Sequence, residues 1–154
     1  IWNNIEIENI NSVNDIANIV SKSWLIGFIE AKGSFYLVKI SNYNNNNIYD
    51  RIVHAFGITQ KLDPIILHSI KHILHIPSKL KYKNNYYILE NTNNRSINYI
   101  INYFITNDHS ILFLGKKNLE FSIWKRSYFK YKGNYKKLYN IQQLIRKLKI
   151  RHKN

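Results

Sequence analysis

The apolar residues of this chain change period several times, and each change marks an element. Residues 1–20, IWNNIEIENINSVNDIANIV, are rich in Asn and carry most of the early acids, so they read as a linker or arm arriving from a preceding domain. From Lys22 to Lys32 the spacing is helical, with Ser21 or Ser23 as N-cap and Gly33 just past the end, where a left-handed residue closes a helix. SFYLVKI, 34–40, reads as a strand, and the polar SNYNNNN after it as a solvated turn. A second strand, IYDRIVHAFGITQK, fills 48–61. Asp63 and Pro64 then announce a helix as N-cap and first helical residue. Ile66, Ile70, Ile73 and Leu74 recur at helical spacing until Pro77 stops them. Residues 78–83 and 86–92 flank Asn84-Asn85, a hairpin turn. Helices fit 95–106 and 115–130. The last stretch, YKKLYNIQQLIRKLKIRHKN, is a basic amphipathic helix with Leu138, Ile141, Leu144, Ile145 and Leu148 along one face. Residues 21–154 therefore predict one α+β domain: an antiparallel sheet with helices on one face.

Strand alternation sorts the side chains between the two faces. Phe35, Leu37, Phe56, Ile58, Leu80, Tyr82, Tyr87 and Leu89 are expected under the helices. Tyr36, Arg51, Val53, Ala55, Gly57, Thr59, Lys79, Lys81, Lys83, Tyr86 and Ile88 are expected on the open face. That face carries three lysines, an arginine and aromatic rings, suited to phosphate contacts with some stacking. Val53, Ala55 and Gly57 are poor hydrogen-bonding readers of base edges, which favours recognition of shape or backbone over sequence.

Composition sharpens this. With 154 residues and 18.5 kDa the chain is long enough for one real core. Its 23 Lys and Arg against 9 Asp and Glu give a net charge of +14, and the partner that suits such a field is a polyanion. Neutralising about six phosphates of B-DNA would give a log–log salt slope of about −5. The lack of cysteine excludes disulfides and thiolate zinc sites. No apolar run approaches membrane-spanning length, and the start lacks a signal-peptide layout. His68, His72 and His75 fall on one side of their helix, but Ser69 follows His68 and no acid lies nearby, so they read as imidazoles facing solvent or nucleic acid rather than metal ligands. About a third of the residues are Ile or Asn, which predicts a very AT-rich genome such as a fungal mitochondrial one. The chain has no methionine, which predicts a processed or truncated piece of something longer.

Within the first helix Gly27 and Ala31 lie four apart, and small residues at that spacing let two helices approach closely. The full string Leu25-Ile26-Gly27-Phe28-Ile29-Glu30-Ala31-Lys32-Gly33 resembles the LAGLIDADG motif of homing endonucleases and intron-encoded maturases. The resemblance continues through GITQK (57–61), NYYILENT (85–92) and LGKKNLEF (114–121), and so covers essentially the whole chain after residue 20. It implies an αββαββα domain with a four-stranded saddle sheet. It also implies a second such domain in cis, packed motif helix on motif helix through Gly27 and Ala31.

In the family the carboxylate before the motif's last glycine binds a divalent metal at the scissile phosphates, holding the cation that stabilises attacking and leaving oxygens. Here that position is Lys32, which cannot ligate Mg²⁺ while protonated. Glu30 lies about 200° round the helix from it and is not expected to substitute. The resemblance also places Gln60, and one of Lys116 and Lys117, as auxiliary groups near the phosphates. It implies a vestigial nuclease site with no bound metal. The leading expectation is a mitochondrial, RNA-binding group I intron maturase, the C-terminal half of a two-motif protein with the RNA doing the chemistry. The alternatives are a Mg²⁺-dependent homing endonuclease half-domain on duplex DNA, or a structural subunit of a mitochondrial ribonucleoprotein.

Overall fold

The computed structural model describes residues 13–44 and 47–151. Helices α1 (Val13–Ile19) and α2 (Lys22–Lys32) precede strands β1 (Gly33–Asn44) and β2 (Asn47–Gln60). Helix α3 (Pro64–Ile73), strands β3 (Lys81–Lys83) and β4 (Tyr86–Asn91), and helices α4 (Asn94–Tyr103), α5 (Lys116–Tyr131) and α6 (Tyr135–Arg151) follow. The strands form one antiparallel sheet in the order β1-β2-β4-β3, and the helices bury its inner face, as the α+β reading requires. Among the described residues no helix is long and apolar enough to cross a membrane.

The element borders show which local signals governed. Ser21 caps α2, its hydroxyl accepting from the Trp24 N–H at 3.2 Å. Pro64 opens α3, but Asp63 makes no side-chain cap; it sits in the left-handed region at φ 56°, where its carboxylate does not meet the first turn. The end of α3 comes before Pro77. His75 takes the left-handed position at φ 51°, and the Ile76 N–H reaches back to the Lys71 carbonyl at 2.9 Å. The helix thus closes in a Schellman turn built on histidine instead of glycine. Asn84 and Asn85 both have positive φ, the geometry of the two-residue hairpin expected there.

Part of the stretch expected as an arm is helix α1, which packs on α3 and buries Ile16. Ile16, with Val20 just past the helix end, gives it an apolar side to bury. Residues 1–12, also expected in the arm, lie outside the described residues. Ser41–Asn44, expected in a turn, extend β1, while Asn45 and Asn46 are outside the description.

Phe35 is the centre of the core. Its ring lies 4.9 Å from Phe121, 5.0 Å from Trp124, 5.5 Å from Phe56 and 5.6 Å from Phe113, centroid to centroid. Aromatic groups at these separations contribute beyond the area they bury. The core also holds a group that alternation alone did not single out. His54, paired with Leu37 across the strands, is buried with Nε2 2.8 Å from Ser127 Oγ. The Ser127 hydroxyl gives its one proton to the Trp124 carbonyl at 2.8 Å, so His54 Nε2 is the donor in this pair. Burial, with the nearby Lys132 charge, pushes the His54 imidazole down to about 4.

Gly33 does not take the left-handed conformation expected of it. Its φ is −70° and ψ 157°, the start of β1, so backbone freedom is not why glycine is there. An added Cβ would lie 2.6 Å from Ile29 Cγ2 and 2.8 Å from the Ile29 carbonyl oxygen. The chain turns from helix to strand so tightly that the last turn of α2 fills the side-chain space. Gly33→Ala is therefore expected to destabilise the domain by about 1–3 kcal/mol through this overlap. Urea unfolding measures it, and a change within about 0.5 kcal/mol, the size of an ordinary surface substitution, would contradict the packing account.

Candidate nucleic-acid interface

The open face alternates largely as expected. Tyr36, Val53, Thr59, Ile88 and Glu90 share it with Lys81, Lys83 and Tyr86. Ala55 and Gly57 are buried there, because the Tyr36 ring lies over Gly57 so closely that an added Cβ would sit 3.0 Å from it. The Tyr36 hydroxyl donates to Glu90 Oε1 at 3.1 Å, and burial together with that carboxylate holds the phenol well above its ordinary range. Two expectations about strand β3 fail because the strand is only three residues long. Tyr82 pairs with Tyr87 on the inner side but overhangs the helices and is 63% exposed. Lys79 precedes β3 and borders a hollow against α3 beside Pro64, His68 and Lys71, rather than joining the open face. Arg51 is exposed and pairs with Ile40 toward the far end of the β1–β2 ribbon, away from the motif.

Lys32 ends α2 and is exposed, at the rim of two adjoining hollows. One brings it together with Tyr36, Thr59, Glu90 and Lys149. The other brings it together with Ala31, Thr59, Gln60 and Tyr86. Of the residues expected at the site, these converge. The two lysines of GKKN separate. Lys116 is exposed, whereas Lys117 turns inward and its Nζ donates to the Gly33 carbonyl at 2.6 Å. Gly27 and Ala31 are exposed along α2, and a Cβ on Gly27 would meet nothing within 4 Å. Glu30 is occupied elsewhere: its Oε1 accepts the Lys117 backbone N–H at 3.0 Å, serving the first turn of α5. A carboxylate at a helix N-terminus is favourable to the dipole.

The residues that hold this end of the sheet were not foreseen. β1 is a sheet edge, and side chains of α5 and α6 serve its backbone. Glu120 Oε1 accepts the Phe35 N–H at 2.8 Å. Trp124 Nε1 donates to the Tyr36 carbonyl at 3.0 Å, and Gln142 Nε2 to the Leu37 carbonyl at 2.8 Å. Lys149 Nζ donates to Ser34 Oγ at 2.5 Å and to the Phe35 carbonyl at 3.3 Å. Glu120 is 8% exposed and lies 3.6 Å from both the Lys117 and Lys149 ammonium groups. Burial lowers the Lys149 pKa; Glu120 opposes that shift and Lys117 adds to it. The signal was present in α6: Leu138, Gln142, Ile145 and Lys149 form one stripe at 4-3-4 spacing, and two polar residues on a buried stripe call for polar partners. Leu144, expected on that stripe, is rotated off it and 42% exposed.

These donors do not fit a divalent cation. The hollow at Lys32 presents two ammonium groups, and its one lining carboxylate, Glu90, already receives the Tyr36 hydroxyl and lies 3.5 Å from Lys81 Nζ. Among the described residues no three His, Cys, Asp or Glu side chains converge as a metal site. His68, His72 and His75 line a shallow groove with Lys71, and the His75 ring packs edge-on against Tyr99 at 4.4 Å. The Lys32 hollow thus sets one exposed ammonium group, Lys32, and a second, Lys149, already engaged by Ser34, the Phe35 carbonyl and Glu120, beside the Glu90 carboxylate.

Comparison with known proteins agrees with this fold. Residues 25–128 match the LAGLIDADG endonuclease family, and the chain belongs to that family. It is 37% identical over 145 residues to a probable intron-encoded endonuclease, Cox1-I1b, of Schizosaccharomyces pombe, covering 90% of this chain and 34% of that protein. A probable intron-encoded endonuclease aI3 of Kluyveromyces lactis is 38% identical over 103 residues, covering 67% of this chain and 22% of that protein. The chain thus spans about a third or less of the length of these two relatives. Among solved structures, an archaeal intron-encoded homing endonuclease, I-Vdi141I, complexed with DNA has a TM-score of 0.60 at 24% identity, over 82% of each chain. The LAGLIDADG meganuclease I-CpaMI bound to uncleaved DNA has a TM-score of 0.63 at 19% identity, over 85% of this chain and 44% of that one.

The Glu120 clasp yields a direct test. Glu120→Gln keeps an acceptor for the Phe35 N–H but strips the counter-charge from two half-buried ammonium groups. It is expected to cost about 3 kcal/mol in urea unfolding. A loss below about 1 kcal/mol would mean the clasp does not hold the sheet edge.

Proposed function

We propose that this chain is the nucleic-acid-binding domain of an intron-encoded mitochondrial protein, one that binds folded group I intron RNA and assists its splicing without cutting nucleic acid itself. The observation that carries the reading is Lys32. The motif position that holds the family's metal-binding carboxylate presents an ammonium group, and Lys149 brings a second one to the same hollow. Such a site repels a divalent cation and attracts phosphate. Binding that favours the folded RNA acts by mass action: protein at about a hundred times its Kd stabilises that fold by about 2.7 kcal/mol, with no catalytic side chain required. Lys81, Lys83, Tyr86, Tyr36 and Thr59 on the open face, with Gln60 beside Lys32, are the contacts this reading uses. The bare Gly27 and Ala31 positions on α2 support a second domain of the same kind in cis, packed helix against helix. The narrower expectation, the C-terminal half of a fungal mitochondrial cytochrome b intron maturase, stays within this proposal.

A second reading has its own support. The relatives' names, probable intron-encoded endonucleases, and the DNA-bound state of the structural neighbours favour a half-domain that grips duplex DNA, with Mg²⁺ held by a partner domain. One experiment separates the two. Folded intron RNA competes at physiological salt and with Mg²⁺ against duplex DNA spanning the insertion site, and nicked products are scored in the same tubes. The splicing reading expects RNA to win by about tenfold or more, equivalent to about 1.4 kcal/mol, with intact DNA. Preference for DNA with metal-dependent nicking would replace it with the endonuclease reading.

A further inference from the structure

The net charge of the chain is not spread evenly. Of 23 Lys and Arg, 10 lie within the 31 residues from Phe121 to Arg151, a stretch with no Asp or Glu. That stretch alone supplies 10 of the 14 net charges. The sheet, by contrast, sets acids against its bases: Lys81 Nζ lies 3.5 Å from Glu90, and Lys39 Nζ 2.6 Å from Asp50. Most of the chain's unbalanced charge therefore resides in α5 and α6, and of these cations Lys149 is the one that lines the open-face hollow at Lys32.

Helix α5 shows how it is arranged. Glu120, Phe121, Trp124, Ser127 and Tyr128 form its buried side. Lys125, Arg126, Phe129 and Lys130 fall on the opposite side and line one shallow groove. None of the three cations there has an ion-pair partner among the described residues. Phe129 stands between them 62% exposed, a large ring that the core has no use for. A contact beyond the groove links this side to α6: Lys130 and Lys137 both lie over the Tyr131 ring, 5.5 and 5.9 Å from its centroid.

We infer that this outer side of α5, continued onto α6 at Lys137, is a second nucleic-acid surface, separate from the open face of the sheet, and that it takes the backbone and an unpaired base of RNA. The inference rests on the RNA reading above and says where, beyond the sheet, the RNA is held. A basic helix face alone would be satisfied by solvent or by any polyanion. Phe129 distinguishes the case, because a bare ring flanked by cations is a platform for one unstacked base with its phosphates on either side. A base-paired duplex offers no free base face to such a ring. An RNA held at the sheet and again along α5 would be gripped at two places, which one sheet surface cannot do.

The test measures binding of the 154-residue chain to an RNA hairpin with an unpaired loop, to the fully paired RNA duplex of the same stem, and to the matching DNA duplex. Lys125→Gln, Arg126→Gln and Lys130→Gln together should weaken hairpin binding about tenfold or more and reduce its log–log salt slope by about 2, as expected for three phosphate contacts on a single strand. Phe129→Ala should weaken the hairpin about tenfold and leave both duplexes unchanged. Arg126, Phe129 and Lys130 are exposed and Lys125 is half-buried, and circular dichroism checks that the variants fold. If neither variant changes hairpin binding while Lys81→Gln with Lys83→Gln abolishes it, the second surface is refuted and the RNA reading stands. Equal losses on all three probes would reduce the face to general charge and refute it too. A parent chain that binds the DNA duplex more tightly than the hairpin would overturn both the surface and the RNA reading. A variant effect reproduced by an acidic peptide competitor in place of RNA would assign the groove to a protein partner instead.

Discussion

Strand β1 is at once the edge of the sheet and the continuation of the motif helix, and the clasp around Glu120 holds it in both roles. An edge strand carries backbone donors and acceptors with no neighbouring strand to meet them. Left buried and unmade, each would cost about 1–3 kcal/mol. Here side chains stand in for the missing strand: Glu120 takes the Phe35 N–H, and Trp124, Gln142, Lys117 and Lys149 serve carbonyls from Gly33 to Leu37. The same carboxylate lies against the Lys117 and Lys149 ammonium groups, so α5 and α6 are pinned to β1 through one buried charge. Residue 35 carries both ends of the arrangement, its amide in the clasp and its ring at the centre of the aromatic core.

That clasp determines what the open face offers at its motif end. Because β1 is fixed, Gly33 must turn from α2 into the sheet against Ile29, which leaves Lys32 at the surface where two hollows meet. Lys149, held by Glu120 and Ser34, adds its charge to one of those hollows from the far end of the chain. Glu30, the acid nearest in sequence, is drawn to the first turn of α5. The electrostatic character of the site is therefore a property of three helices meeting one strand end rather than of the motif alone.

Much of this could be read from the chain itself. The alternation in β2 and β4 separated Phe56, Ile58 and Leu89 from Thr59 and Ile88, because a period of two leaves no ambiguity once one face is buried. Asn84-Asn85 placed the hairpin, and the string from Leu25 to Gly33 placed the family. The failures have local physical causes. Gly33 looked like a helix cap because glycine at that position usually is one, whereas here space and not φ demands it. Tyr82 followed the alternation correctly, yet it overhangs the edge of a three-residue strand and stays exposed. Leu144 joined an apolar stripe in projection, while the face that packs is the one carrying Gln142 and Lys149. Contacts such as Glu120 with Phe35, 85 residues apart, leave no periodic trace, and only the odd polar residue on a buried stripe hints at them.

The proposed function turns on one charge: an ammonium group at residue 32, where the resemblance expects a carboxylate, with Lys149 lining the same hollow. Two charges of like sign about 4 Å apart repel by about 4 kcal/mol at an effective dielectric near 20, and a dication doubles that. The most direct measurement is paramagnetic broadening of the Gly33 and Ser34 amide signals on adding Mn²⁺, in the parent chain and in Lys32→Asp. No selective broadening is expected in the parent at millimolar Mn²⁺, and clear broadening is expected in Lys32→Asp. Equal, saturable broadening in both proteins would mean the lysine does not keep the metal away.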